Sequence, residues 1–279
     1  MTGVRKVALL LVFVAIGRAP AQTSLNWKFE PGQRYEAERI ATRKQSVKLN
    51  GKTFNQERAS VWRVRLEVKE RKGAAFLIDA MLAKVEHKLT GVPAAEMLDP
   101  KLDSKIQGAR FLLTVTPAGT IQQMQGYEQL LKRLGDPGKV REAIAEATLR
   151  DGFADLFGPL PDTPVKPGAT WQREKVEPIP HFGALRSTTH YRWDGTTIAF
   201  TIATKFEKPV PEMTAVFRVV DGKLASEKGR GTIAFDHKAG RLVSHERSMA
   251  LRGELTLESM KRRYPVEFTS EEQVKIRVR

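Results

Sequence analysis

The stretch Val61-Trp62-Arg63-Val64-Arg65-Leu66-Glu67-Val68-Lys69 decides the fold. Trp62, Val64, Leu66 and Val68 fall on one side of a period-two pattern, and Arg63, Arg65, Glu67 and Lys69 on the other. Successive side chains of a strand point to opposite faces, so this segment predicts a strand with one dry and one wet face. A slip of one residue would bury the four charges, so the register is strongly specified. The same alternation closes the chain, where Val274, Ile276 and Val278 interleave with Lys275, Arg277 and Arg279.

Turn signals punctuate the rest of the chain. Asp194-Gly195 separates Tyr191-Arg192-Trp193 from Ile198, Phe200 and Ile202, and Asp221-Gly222 follows Phe217-Arg218-Val219-Val220. Asp-Gly suits the turn whose twist matches paired strands, so each predicts a hairpin. Thr116-Pro117-Ala118-Gly119 joins Phe111-Leu112-Leu113 to Ile121, and His237-Lys238-Ala239-Gly240 joins Ile233-Ala234-Phe235 to Leu242-Val243. Strands linked this tightly are antiparallel, which excludes doubly wound and TIM-type α/β folds.

Helical spacing is confined to the middle. Tyr127, Leu130, Leu131 and Leu134 recur at i, i+3, i+4 and i+7, with Gly135 placed as a C-cap. A second amphipathic stretch carries Val140, Ile144, Leu149, Phe153, Leu156 and Phe157, and a weaker one runs from Pro93 to Ile106. Gly158 to Gly168 holds Pro159, Pro161, Pro164 and Pro167, which rule out both helix and central strand. The expectation is a mainly β (α+β) fold: a curved antiparallel sheet or half-barrel with a central helical insert packed on it. In this reading residues 22–279 form a single β-rich domain, with the insert near 126–157 and a proline-rich connection at 158–168. Two independent domains remain the alternative for 279 residues.

The N-terminus reads as an address. Arg5 and Lys6 precede ten apolar residues from Val7 to Ile16, and Ala19-Pro20-Ala21 supplies a small-x-small cleavage pattern. The run is half the roughly 20 residues a membrane span needs, so residues 1–21 are expected to be a signal peptide, cleaved after Ala21. The mature protein is then exported, periplasmic or extracellular, with no transmembrane segment. Cleavage removes Arg5, Lys6 and Arg18 and no acid, so the net charge falls from +15 to +12. That excess favours anionic surfaces. The scatter of the basic residues and an aromatic content of 8% argue against a nucleic-acid reader.

Catalytic patterns are sparse. The chain has no cysteine, which removes disulfides, thiolate nucleophiles and cysteine-ligated zinc. None of His87, His181, His190, His237 and His245 forms a close metal pair, and each reads as a surface or strand residue. Ser244-His245-Glu246 fails as a triad, because on a strand His245 points away from its two neighbours. Asp99 with Asp103, and Glu271-Glu272, read as solvated charges and caps. No phosphate-cradling glycine motif opens a helix. No cofactor is expected. What remains is a binding architecture: a curled sheet under amphipathic helices, whose apolar interior Trp62, Phe76, Phe111, Phe153, Phe157, Phe200 and Phe235 are placed to line.

Several phrases resemble a family of exported bacterial β-rich proteins that carries the label of a domain of unknown function. They are Leu25 to Gly32 leading to Tyr35, Phe111 to Gly126, Leu160-Pro161 through Pro167-Gly168-Ala169-Thr170-Trp171, and Gly229 to Asp236 followed by Gly240-Arg241-Leu242. The resemblance implies an exported β-rich protein and brings no catalytic residue. Related lipoproteins begin with cysteine, and this chain has none. The expected function is non-enzymatic binding, in the cell envelope, of a lipid or other apolar ligand, or of a partner protein. Two alternatives are an interaction module that meets acidic partners through basic strand faces, and a hydrolase of an envelope polymer.

Overall fold

A computed structural model describes residues 22–91, 101–135, 144–179, 183–207, 218–226, 229–259 and 262–279. The first meander comprises β1 (Arg34–Leu49), β2 (Lys52–Lys72), β3 (Ala75–Thr90), β4 (Arg110–Val115) and β5 (Ile121–Gln125). The second comprises β6 (Thr170–Ile179), β7 (Gly183–Trp193), β8 (Thr197–Glu207), β9 (Arg218–Ser226), β10 (Gly229–Asp236), β11 (Arg241–Ser259) and β12 (Arg262–Val278). Helices α1 (Leu102–Ile106), α2 (Tyr127–Leu134) and α3 (Glu146–Phe157) are inserted around and between them.

The two meanders make one antiparallel sheet in the order β5-β4-β3-β2-β1-β12-β11-β10-β8-β7-β6. The first and last long strands join them, in register from Ala37 opposite Val278 to Leu49 opposite Val266. Strands β9 and β10 lie end to end along β11, β9 opposite residues 251–258 and β10 opposite 241–248. The antiparallel β reading is therefore what the chain adopts, with a few helices on one large sheet.

One face of this sheet carries the core. Val64, Leu66 and Val68 of β2, Ile78 and Leu82 of β3, and Val274 and Ile276 of β12 are all buried, as their alternation requires. Helix α3 lays Leu149, Phe153, Leu156 and Phe157 on them. The segment before β1 completes the packing. Leu25, Trp27 and Phe29 are buried, and the Trp27 indole N–H donates to the Phe157 carbonyl at 2.8 Å. The backbone N–H groups of Trp27 and Lys28 donate to the carbonyls of Pro117, in the β4–β5 turn, and Gly240, in the β10–β11 turn. That segment thus ties both meanders to α3. Gly240 is confined to glycine twice over: its φ is +65°, and a Cβ there would stand 2.7 Å from the Lys28 nitrogen.

Several local expectations need correction. Asp221-Gly222 makes no hairpin: it lies inside β9, where the pairing with β11 shifts between Thr256 and Leu257. An Asp-Gly pair tolerates a bulge as readily as a turn, and here the strand continues through it. The weak helix expected from Pro93 is described only as α1, since residues 92–100, including Asp99, lie outside the described residues. The second amphipathic helix is described from Glu146, and Val140 falls outside as well. Residues 1–21, expected to be a signal peptide, and His181 also lie outside the described residues. The turns at 116–119, 194–195 and 237–240, and helix α2, stand where the sequence places them.

Candidate functional site

The inward face of the sheet is not apolar along its whole length. Strand β12 shows the order: Val278, Ile276 and Val274, then Glu272 and Ser270, then Phe268 and Val266, all on one side. Strand register extends each step across the neighbours. Glu272 stands opposite Arg43, which stands opposite Arg58. One row further, Ser270, Gln45 and Gln56 align, and beyond them Phe268, Val47 and Phe54. A charged belt therefore separates the main core from a second apolar cluster.

The belt is a linked network held by α3. Asp155 accepts from Arg39 at 3.3 Å and lies 3.5 Å from Nη1 of Arg247. The other Arg247 amino group reaches Glu272 at 2.8 Å, and Nε of Arg43 donates to the same carboxylate at 2.9 Å. His245 contributes Nδ1 at 3.3 Å from the Asp155 carbonyl oxygen, and Arg39 stacks 5.5 Å from the centre of the Trp62 ring. Burial on its own would raise the pKa of Asp155, but Arg247 and Arg39 outweigh it and hold the group below the usual carboxylate range. Glu272 behaves alike, desolvation being outweighed by Arg43 and Arg247. His245 is pushed down, first by desolvation and then by Arg247, with Asp155 opposing. Arg247 is raised, chiefly by Asp155 against the effect of burial.

A cleft of about 230 Å³ opens above this belt, lined by Arg39, Arg43, Arg58, Trp62, His87 and Glu272 among others. Arg58 keeps a solvent-exposed surface and has no ion pair among the described residues. Its pKa is lowered by desolvation, then by the like charges of Arg43 and Arg39, with Asp103 acting the other way. The Trp62 indole nitrogen is buried with no hydrogen-bond partner among the described residues. At the cleft edge, Asp103 takes the backbone N–H of His87 at 2.7 Å and meets its ring Nδ1 at 2.5 Å. Ser60 stands opposite His87 in the β2–β3 ladder. The His87–Asp103 pair closes an edge of β3 that β4, ending its pairing at Met81, does not cover.

The second cluster lies past the belt. Val219, Leu224, Leu251, Leu255 and Val266 are buried, and Val47, Leu49, Leu185, Phe206, Leu257 and Phe268 pack against them half-exposed. Residues from β1, β7, β8, β9, β11 and β12 meet there, as a curled sheet requires. Among the described residues it includes no helical side chain. The outward face is different in kind: its cations alternate with acids, as in Lys48–Glu267, Arg63–Glu38 and Arg186–Glu207. A larger hollow of about 550 Å³ between Arg34, Arg65, Asp79 and Arg110 belongs to that side, and there Asp79 pairs with Arg110 at 2.6 Å.

The sequence candidates are only partly gathered at the cleft. Trp62 lines it, and Phe153 and Phe111 pack behind Trp62 as tilted rings with centres 6.3 and 5.0 Å apart in turn. Phe111 also borders a separate hollow beside α2. Phe157 sits under Trp27, Phe200 beside Tyr191 and His245, and Phe235 against Trp27. Phe76 packs on Phe29. One expectation changes, since Glu272 is a buried member of the belt rather than a solvated charge; His245, expected as a surface or strand residue, lies on strand β11 and is buried inside the belt. Both were missed although the alternation carries them, Glu272 being in phase with Val274, Ile276 and Val278. Among the described residues no group of three or more His, Asp or Glu is placed to hold a metal, and no helix is long and apolar enough to cross a membrane.

No protein-family model matches the chain, and no curated protein matches it. Among solved structures it is similar to lipovitellin, described for its lipid–protein interactions, with a TM-score of 0.49 and 13% identity. The match covers 90% of this chain and 25% of that one, so this chain spans a quarter of the lipovitellin length. An outer membrane channel from Pseudomonas putida F1 follows at a TM-score of 0.24 and 10% identity, covering 95% and 100% of the two chains. DynF of the dynemicin biosynthesis pathway of Micromonospora chersina scores 0.18 at 10% identity, covering 99% and 91%. At these scores no property passes from them to this chain.

Proposed function

We propose that this chain is an exported, non-enzymatic protein of the bacterial envelope that binds a lipid or similar apolar ligand on the inward face of its sheet, as the resemblance to an exported β-rich family also implies. The observation that carries the reading is the second apolar cluster. A soluble domain gains by covering apolar side chains, and large uncovered patches mark binding surfaces. Here Val47, Phe206, Leu257 and Phe268 remain half-exposed around a buried floor, with no helical residue in the cluster among those described. A ligand with an apolar body would complete that packing as α3 does for the main core.

The belt argues in the same direction and against hydrolysis. A glycosidase needs one carboxyl kept protonated near neutral pH, whereas Asp155 and Glu272 are both held ionised by arginines. The interaction-module alternative is supported less, because the outward cations are largely interleaved with acids. The test is a titration of delipidated protein with a fluorescent fatty acid. Saturable binding that Leu251→Asp or Leu255→Asp abolishes, with the far-ultraviolet circular dichroism of the sheet retained, supports the reading. Absence of binding to any apolar probe overturns it.

A further inference from the structure

Resting on that reading, we propose that the ligand is an anionic amphiphile, and that Arg58 and Arg43 in the cleft receive its carboxylate or phosphate head. The inward face is graded in the order such a molecule requires. Its rows run from Arg58, Arg43 and Glu272, through Gln56, Gln45 and Ser270, to Phe54, Val47 and Phe268. Strand rise sets the first row about 13 Å from the third. That spacing places a head among guanidinium groups, a polar neck beside amides and a hydroxyl, and a chain on the second apolar cluster.

Three observations place the charge at this end. Arg58 carries no ion pair among the described residues, while Arg43 and Arg39 are each already bonded to a carboxylate. Three guanidinium groups share one cleft with the carboxylates of Glu177 and Glu272, and Arg58 is destabilised as a cation by desolvation and then by its two like-charged neighbours. An oxyanion relieves both, since guanidinium groups bind carboxylate and phosphate through paired, charge-assisted hydrogen bonds. Finally, the buried Trp62 N–H in the wall of the same cleft has no acceptor among the described residues. A buried donor left unpaired costs free energy, and a head-group oxygen is the kind of partner it lacks.

The experiment uses protein expressed from the full chain and delipidated, titrated with oleate, methyl oleate and oleyl phosphate. Arg58→Gln is the informative variant, because Arg58 is exposed, has no ion pair among the described residues, and its loss leaves the Asp155–Arg247–Glu272 network intact. Arg65→Gln, exposed on the opposite face of the same strand, is the control. The expected result is that oleate or oleyl phosphate binds at least tenfold tighter than methyl oleate. Arg58→Gln erases that preference, Arg65→Gln keeps it, and raised salt weakens only the charged ligands. Whichever anion is preferred identifies the head, and competition by inorganic phosphate assigns it to a phosphate. Equal binding of all three ligands, unchanged by Arg58→Gln, overturns the head-group assignment and leaves the apolar-binding reading standing. If none of the three binds, both fail together.

Discussion

Replacing Gly152 by alanine is expected to destabilise this protein, against the usual direction for a helix interior. In an exposed helix the change gains about 1 kcal/mol, since alanine costs less backbone entropy. Gly152 is buried, on the face of α3 that lies on the sheet, and an added Cβ would stand 2.8 Å from Cη2 of Trp62 and nearer still to Cζ3. Carbon atoms pack at about 3.5–4.0 Å, so the ring or the helix must move by close to 1 Å. The ring has little room: it is 8% exposed, with the Arg39 guanidinium on one side and Phe153 close by. Overpacking of this kind costs about 1–3 kcal/mol, which leaves a net loss of up to about 2 kcal/mol once the propensity gain is subtracted. For a chain of this size that lowers Tm by up to roughly 8 °C. The assay is urea denaturation of a double-mutant cycle with Trp62→Phe, which removes the offending ring edge and sacrifices no hydrogen bond among the described residues. The cost of Gly152→Ala should fall by at least half in the Trp62→Phe background. An equal cost in both backgrounds, or a stabilised Gly152→Ala protein, would refute the claim that α3 rests on Trp62.

Other outcomes follow from the same contacts. Asp155→Asn takes from Arg39 its only carboxylate among the described residues and from Arg247 one of two, and should cost about 3 kcal/mol by urea denaturation; a loss below about 1 kcal/mol would show that the belt is not coupled to folding. Trp27→Ala, which opens a buried cavity and strands the Phe157 carbonyl, should cost about 3–5 kcal/mol, and a near-neutral result would mean the N-terminal segment does not close the core. Acid should act in two stages. The lowered pKa of His245 makes its contribution complete above about pH 6.5 and lost as pH falls from there through the folded-state value, because the unfolded chain takes the proton first. The depressed carboxyls of Asp155 and Glu272 contribute fully above about pH 4 and lose their share as pH falls further, through their folded values. Thermal melts of the wild type and His245→Gln should therefore diverge in slope between pH 7 and 5, and parallel slopes would contradict the buried neutral histidine.

Much of the architecture was legible because alternation and tight turns are local signals. The Trp62 to Val68 pattern set the face of β2, and the turn at 237–240 paired Asp236 with Arg241, as the structure has them. What escaped was non-local. Nothing in the sequence near Trp27 shows that it crosses to Pro117, Phe157 and Gly240. Asp221-Gly222 carried a turn signal, yet strand β11 opposite was long enough to pair straight past it. The belt was half legible. Arg43 and Glu272 are in phase with apolar neighbours on their own strands, which marks charges facing inward, but their union with Asp155 depends on where α3 lands. The aromatic candidates were right in kind for an interior, and packing among themselves takes up most of them, leaving the uncovered apolar surface to other residues further along the strands, among them Val47, Phe206, Leu257 and Phe268.

The most direct test of the proposed lipid binding is native mass spectrometry of the protein as produced by its own host or a close relative, whose mass also reports whether the chain begins at Gln22 as expected. The expected result is a discrete added mass that organic solvent releases as an anionic lipid, and that is lost from a Leu255→Asp protein. A bare chain at its calculated mass, with no extractable lipid from either protein, would contradict it.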